Sequence, residues 1–193
     1  MTITSLFRTF LSILVLTSLC SCASFPKDPA SPKSNTGDLA TQLNGTYLIN
    51  PIETESVSPS FRYDNLYSRV NRKHKTRDTL VMRELDGSHF ELELKDEKEL
   101  IVKFYKNDEL FETYQLKARL KDDGYLYVRN KNVKFWGIPF ALGYWTTQRM
   151  RLSMDANDRL LVEYAEATVG AILVIVYPNW ESWNSRFVYG RKN

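Results

Sequence analysis

Cysteine and histidine are nearly absent from this chain. Its 193 residues include two of each, and both cysteines, Cys20 and Cys22, fall near the start. A disulfide framework is thereby excluded for the remainder, which must be held by its core alone. His74 and His89 have no cysteine neighbours and no His-x-x-x-His spacing, so no metal site is expected. There is no nucleophile elbow, phosphate loop or glycine-rich cradle. Neither an enzyme nor a cofactor is expected. Charge of one sign is also lacking. The formal net charge of +3 does not suggest a nucleic-acid binder. The apolar stretch Phe10–Leu19 falls short of the roughly 20 residues that a helix needs to cross a membrane.

What is present begins with an address. Arg8 is the only charge before Lys27 and supplies a short positive region ahead of Phe10–Leu19, as in a secretory signal. The segment that follows resembles a lipobox: Leu19 at −3, small Ser21 at −1, then Cys22. Lipobox chemistry needs a thiol to accept a diacylglyceryl group and a small residue before it for the peptidase. Cys20 fits worse, because Leu19 would stand at its −1 position. The resemblance implies a signal peptide over 1–21, lipidation at Cys22 and an outer-membrane anchor, since Ala23 rather than Asp follows the cysteine. The alternative is an ordinary secretory signal cut near Ala23. Two acyl chains suffice for stable anchoring. Residues 22–41 carry Pro26, Pro29 and Pro32 and almost no large apolar residue, which reads as a disordered tether. As a flexible coil it would reach roughly 25 Å.

Residues 42–193 are enough for one domain with one core. Turn signals recur at Asp86-Gly87, Asp96-Glu97, Asn107-Asp108, Asp122-Asp123-Gly124, Asn130-Lys131-Asn132 and Asp155–Asp158. Such spacing is the signature of antiparallel hairpins. Between the turns the residues alternate. Phe90, Leu92 and Leu94 oppose His89, Glu91, Glu93 and Lys95; Leu100, Val102 and Phe104 oppose Lys103 and Tyr105; Tyr114, Leu116, Ala118 and Leu120 oppose Gln115, Lys117, Arg119 and Lys121. A period of two with one apolar face means sheet with one face buried. Strands are expected near 45–50, 78–85, 88–95, 99–106, 109–121, 124–130, 144–154, 159–167, 171–177 and 184–190. The nearly continuous apolar run Thr168–Tyr177 reads as a central strand or as a membrane- or partner-binding segment. One short helix is expected near 64–70, capped by Asp64, with Leu66, Tyr67 and Val70 on one side.

Consecutive hairpins in an envelope protein of this size suggest a closed barrel, because closure removes exposed edges. Leu43-Asn44-Gly45-Thr46-Tyr47 resembles the Gly-x-Trp start of lipocalins and other calycins, with Tyr47 in place of the Trp. In that family an Arg of the final strand packs over this aromatic. Arg186, in Asn184-Ser185-Arg186-Phe187, is the matching residue. The whole is similar to lipocalin-like lipoproteins of the Bacteroidetes type. The Thr-Asp motif of classical members is missing, since Thr146-Thr147-Gln148-Arg149 has no Asp. The resemblance implies an all-β, up-and-down antiparallel β-barrel, with Tyr47 and Arg186 closing one end.

Three features carry candidate chemistry. Glu91 and Glu93 share a face at i and i+2, as acid–base carboxylates can, but a solvated strand face explains them as well. Arg62, Arg69, Arg72, Lys73, Lys75 and Arg77 form a basic run that suits lipid or lipopolysaccharide phosphates, or a solvated loop. Phe135-Trp136-Gly137-Ile138-Pro139-Phe140 and Gly143-Tyr144-Trp145 place large rings among strand-breaking residues. They read as a cavity mouth or docking loop, with Trp136, Phe140, Tyr144 and Trp145 as ligand-binding residues, or as a plug over the barrel end. Trp180 and Trp183 form a second aromatic pair. The expected partners are the membrane, through the lipid anchor, and a small apolar or amphipathic ligand. A solid barrel with an envelope-protein partner is the second hypothesis. No nucleic acid is expected.

Overall fold

The computed structural model describes residue 25 and residues 36–56, 65–71, 85, 87–138, 142–172 and 175–192. Over residues 130–145 and 169–182 it describes the backbone alone. The lipobox, Asp64, Asp86, Phe140 and all of the expected strand 78–85 except Leu85, which lies in a turn, are outside the described residues.

The fold is all-β, as expected. Nine strands follow in chain order: β1 Gly45–Leu48, β2 Glu53–Ser56, β3 His89–Lys95, β4 Glu99–Lys106, β5 Glu109–Leu120, β6 Leu126–Ile138, β7 Leu142–Met154, β8 Leu160–Ile172 and β9 Ile175–Tyr189. They form one sheet in the order β1-β3-β4-β5-β6-β7-β8-β9-β2, so β3 to β9 run up and down between sequence neighbours. The hairpin turns follow from their residues. Asp96 and Glu97 (φ 49° and 54°) and Asn107 and Asp108 (φ 52° and 63°) occupy the left-handed region at both central positions, as a type I′ turn requires.

The chain divides into two compact units. One comprises residues 25–130, 149–164 and 184–193, and the core described here belongs to it; the other comprises 1–24, 131–148 and 165–183. Within the first unit, hydrogen bonds join the free edge of β1 to the residues just past β9. Leu48 N–H donates to Gly190 O (3.0 Å), Lys192 N–H donates to Thr46 O (2.9 Å), and Tyr47 bridges Arg191. A few residues later β2 pairs with β9 from Glu53↔Val188 to Ser56↔Ser185. β1 and β2 are thus one interrupted strand lying along β9 and the residues just past it.

The alternation expected for β3–β5 holds. Phe90, Leu100, Val102 and Phe104 are fully buried, Leu92, Leu116 and Ala118 nearly so, and Lys95, Lys117 and Arg119 are exposed. Facing them across the first unit are Leu126, Val128, Met150, Leu152, Leu160, Val162, Phe187 and Tyr189, all buried. Aromatic rings fill the space between: Tyr47–Phe90 at 5.5 Å, Phe90–Tyr189 at 5.3 Å and Phe104–Tyr114 at 5.9 Å.

Two helices accompany the sheet. α1, Thr36–Leu43, occupies the end of the expected tether. Leu39 and Leu43 stand four apart on one helical face and are both fully buried, so that stretch belongs to the folded part. α2, Leu66–Val70, falls where a helix was expected and buries Leu66, Tyr67 and Val70. Its cap is Asn65, not Asp64. The Asn65 side chain accepts Ser68 N–H at 3.0 Å, and Asn65 N–H donates back to the Ser68 hydroxyl, a reciprocal capping box. Tyr67 packs on Phe104 (5.0 Å) and Phe111 (5.6 Å) of β4 and β5, while the Arg69 guanidinium lies 5.0 Å over Tyr164 of β8. This short helix therefore packs between β4–β5 and β8 within this unit.

Three local expectations are corrected. Asn130-Lys131-Asn132 is not a turn, because β6 runs through it to Ile138. The segment 171–177 is not one strand, since β8 ends at Ile172 and β9 begins at Ile175. The Phe135–Trp145 stretch is strand on either side of residues 139–141 rather than an irregular loop.

Candidate functional site

The closed end is built from the Asn44-Gly45-Thr46-Tyr47 segment and from Arg191. Asn44 Oδ1 accepts Leu94 N–H at 2.7 Å, which ties the segment to β3. Gly45 has φ +152°, which strains any other residue, and a Cβ there would displace Nη1 of Arg191. Tyr47 is fully buried under α1, where its hydroxyl donates to Leu43 O at 3.0 Å. Burial pushes the Tyr47 phenol up to about 12, with Arg191 pulling the other way. The Arg191 guanidinium lies 5.3 Å from the Tyr47 ring centre. It donates to Gln42 O (2.6 Å) and Asn44 O (3.2 Å) and pairs with Asp158 (2.7 Å).

The expectation that Arg186 packs on Tyr47 is therefore corrected. Arg186 stands opposite Glu55 in the β2–β9 register, whereas Arg191 stands opposite Tyr47. The Arg186 side chain instead reaches Glu163 on β8 at 2.9 Å and Glu55 at 3.6 Å. Glu163 is nearly buried and also takes Arg151 Nε at 2.5 Å. The result is a ladder across four strands, Glu55–Arg186–Glu163–Arg151. Burial opposes the charge on Arg151, but the Glu163 carboxylate outweighs it and holds the guanidinium above its usual pKa. Beyond the ladder, the Arg151 guanidinium lies 3.8 Å over the Tyr125 ring and 4.5 Å over the Phe25 ring.

Glu91 and Glu93 do not form a free acid–base pair. Lys103 sits between them, at 3.2 Å and 3.1 Å, and the Tyr105 hydroxyl donates to Glu91 at 3.0 Å. His89 lies on the polar side of β3, as expected, but is covered rather than exposed. Its ring stacks on Tyr105 at 4.8 Å, and Lys192 Nζ stands 3.0 Å from Nδ1. Burial first, then the Lys192 charge, lowers its pKa below 6.5, so the imidazole is kept neutral. Among the described residues no group of three His, Cys, Asp or Glu is placed to hold a metal ion. No helix among them is long and apolar enough to cross a membrane.

Of the expected ligand-binding residues, Trp136 lies on β6 and Tyr144 and Trp145 on β7, the two strands of one hairpin. Their side chains, Phe140 and the lipidation site Cys22 lie outside the described residues. Of the basic run only Arg69 is described, and it is buried against Tyr164 rather than offered to a surface. Arg191, Arg151 and Glu163 were not foreseen. Each is fixed by cross-strand register, which a single sequence does not reveal. No known protein family, curated protein or solved structure matches this chain.

Proposed function

We propose that this protein is a β-barrel lipoprotein, anchored to the outer membrane through Cys22, which binds a small apolar or amphipathic ligand through Trp136, Phe140, Tyr144 and Trp145. One observation carries the reading. Tyr47, Phe90 and Phe104 of the first unit are fully buried, whereas β6–β9 run for 13 to 15 residues each and β6 and β7 carry Trp136, Tyr144 and Trp145. Long paired strands that carry three large aromatics suit an apolar ligand. The contact of Arg191 with Tyr47, beneath a helix that precedes β1, supports the calycin resemblance in a corrected form.

The test is a fluorescence titration of the mature chain with a fatty-acid probe. A saturable change in tryptophan emission is expected, and Trp136→Ala should weaken it more than it lowers the melting temperature. No saturable response, with a large stability loss in Trp136→Ala, would make these rings packing. The second reading, an assembly accessory with a solid barrel and a protein partner, then takes over. The packing of α2 between β4–β5 and β8 favours that second reading.

A further inference from the structure

Phe25 is held by the first unit. Phe25 is half-buried against the outside of the first unit, with its ring edge-on to Tyr127 of β6 at 5.9 Å and the Arg151 guanidinium over it at 4.5 Å. Arg151 is itself fixed by Glu163 behind it, and Tyr127 by its hydroxyl on Asp123 (2.7 Å). Phe25 thus enters a seat whose parts are already held. Only three chain steps separate it from Cys22, which at full extension is at most about 11 Å.

The surface around that seat is cationic. On β5–β7 the inward positions are Leu116, Ala118, Leu126, Val128, Met150 and Leu152. The outward ones include Lys117, Arg119, Arg129 and Arg149, all exposed, and Lys121 follows directly after β5. Lys117 faces Glu99 across the β4–β5 pair, and Asp122 and Asp123 lie at the turn; among the described residues Arg119, Arg129 and Arg149 pair with no carboxylate.

We infer that the outer faces of β5, β6 and β7 form the membrane-facing wall of the domain and that their partner is an anionic lipid surface. The inference rests on the reading of Cys22 as the lipid anchor. Phe25 shortens the leash from the roughly 25 Å of a free tether to about 11 Å, and it does so beside the cations. Exposed cations held there gain about fivefold each in partitioning to an anionic surface, an effect that salt screens. The outer face of β5–β7 in the first unit would then rest on the bilayer that holds the anchor.

The experiment uses the lipidated chain reconstituted into phosphatidylcholine–phosphatidylglycerol vesicles that carry a headgroup spin label. Cys20 leaves with the signal and Cys22 is acylated, so an introduced cysteine is the one free thiol. Arg119→Cys, Arg129→Cys and Glu55→Cys are labelled with a fluorophore and floated. Strong quenching at 119 and 129 with little at 55 is expected, reduced by salt and equalised across positions by Phe25→Ala. Flotation with equal quenching at all three positions, or with most at 55, overturns the wall and leaves the anchor intact. Failure to float overturns the anchor and the wall together. Charge-conserving Arg119→Lys and Arg129→Lys, read with the label at 55, should leave that site unquenched; quenching there would also count against the wall.

Discussion

Replacing Arg191 by Ala should loosen the closed end. The side chain makes two hydrogen bonds to backbone carbonyls, a contact over the Tyr47 ring and an ion pair with Asp158. A charged donor to a carbonyl is worth about 1.5–3 kcal/mol net at best, and partial exposure lowers that. The ring contact adds about 0.5–2 kcal/mol. The Asp158 pair is largely solvated and adds under about 1 kcal/mol. These terms share one group and do not sum fully, so about 3 kcal/mol is expected. In a domain of this size that lowers the melting temperature by about 6–12 °C. The assay is guanidinium unfolding followed by near-ultraviolet dichroism. A double-mutant cycle with Tyr47→Leu should show coupling above about 0.5 kcal/mol for Arg191→Ala, and coupling within about 0.3 kcal/mol of zero for Arg186→Ala. Gly45→Ala should cost less when Arg191 is already Ala, because the collision with Nη1 disappears while the φ strain remains. Strong coupling of Tyr47 to Arg186, or strict additivity with Arg191, would refute this account of the closure.

Glu163→Gln should leave Arg151 buried without its carboxylate and cost about 3–5 kcal/mol, whereas the Arg151→Leu/Glu163→Leu pair should recover most of that loss. Denaturant midpoints decide; a single-variant loss below about 1 kcal/mol would show that the pair is not buried as described. His89 has a folded pKa below its unfolded 6.5, so its contribution is complete above about pH 6.5 and is lost as pH falls through the folded value. His89→Gln should therefore flatten the fall in melting temperature between about pH 7 and 5. Burial raises the Asp155 carboxyl, but hydrogen bonds from Arg159 and Asn157 outweigh it and hold the pKa below the usual carboxylate range. Its contribution is present above the ordinary value near 3.8 and fades below it, so Asp155→Asn should remove part of the acid sensitivity under about pH 4. An unchanged acid limb would rule that site out.

The alternation and the turns were legible because each is a local rule. Asp96-Glu97 and Asn107-Asp108 sit in left-handed conformations that few other pairs accept, and Leu100, Val102 and Phe104 alternate as a half-buried strand must. Asn130-Lys131-Asn132 misled for the same reason. Its turn propensity is local, but β6 there continues as strand, and pairing along a long hairpin outweighs a weak preference. The split between Ile172 and Ile175 was illegible because β-branched residues favour strand on both sides of it and leave no punctuation. α1 was hidden by a proline-rich approach, although Leu39 and Leu43 already carried a four-residue spacing. The choice of Arg191 over Arg186 needed the interruption between β1 and β2, which shifts the register along β9 and has no signature in the residues themselves.

Leu100 and Trp136 should answer differently to mutation, and that separates the proposed binding role from plain packing. Leu100 is fully buried in the first unit, opposite Leu94 and Leu116 on the neighbouring strands. Leu100→Ala removes three carbons there and should cost about 2–5 kcal/mol. If binding resides at Trp136, Phe140, Tyr144 and Trp145, the same variant should keep the probe response of the parent at temperatures where it stays folded. Trp136→Ala should do the reverse, with a melting temperature near the parent and a weakened response. The comparison is a pair of titrations and a pair of melts on the same preparations. Loss of probe response in Leu100→Ala at a temperature where its dichroism is native would place the ligand in the core around Leu100, which would have to open to admit it. Loss of stability in both variants with no response in either would assign every one of these rings to the core and leave the outer wall as the surface on which the protein acts.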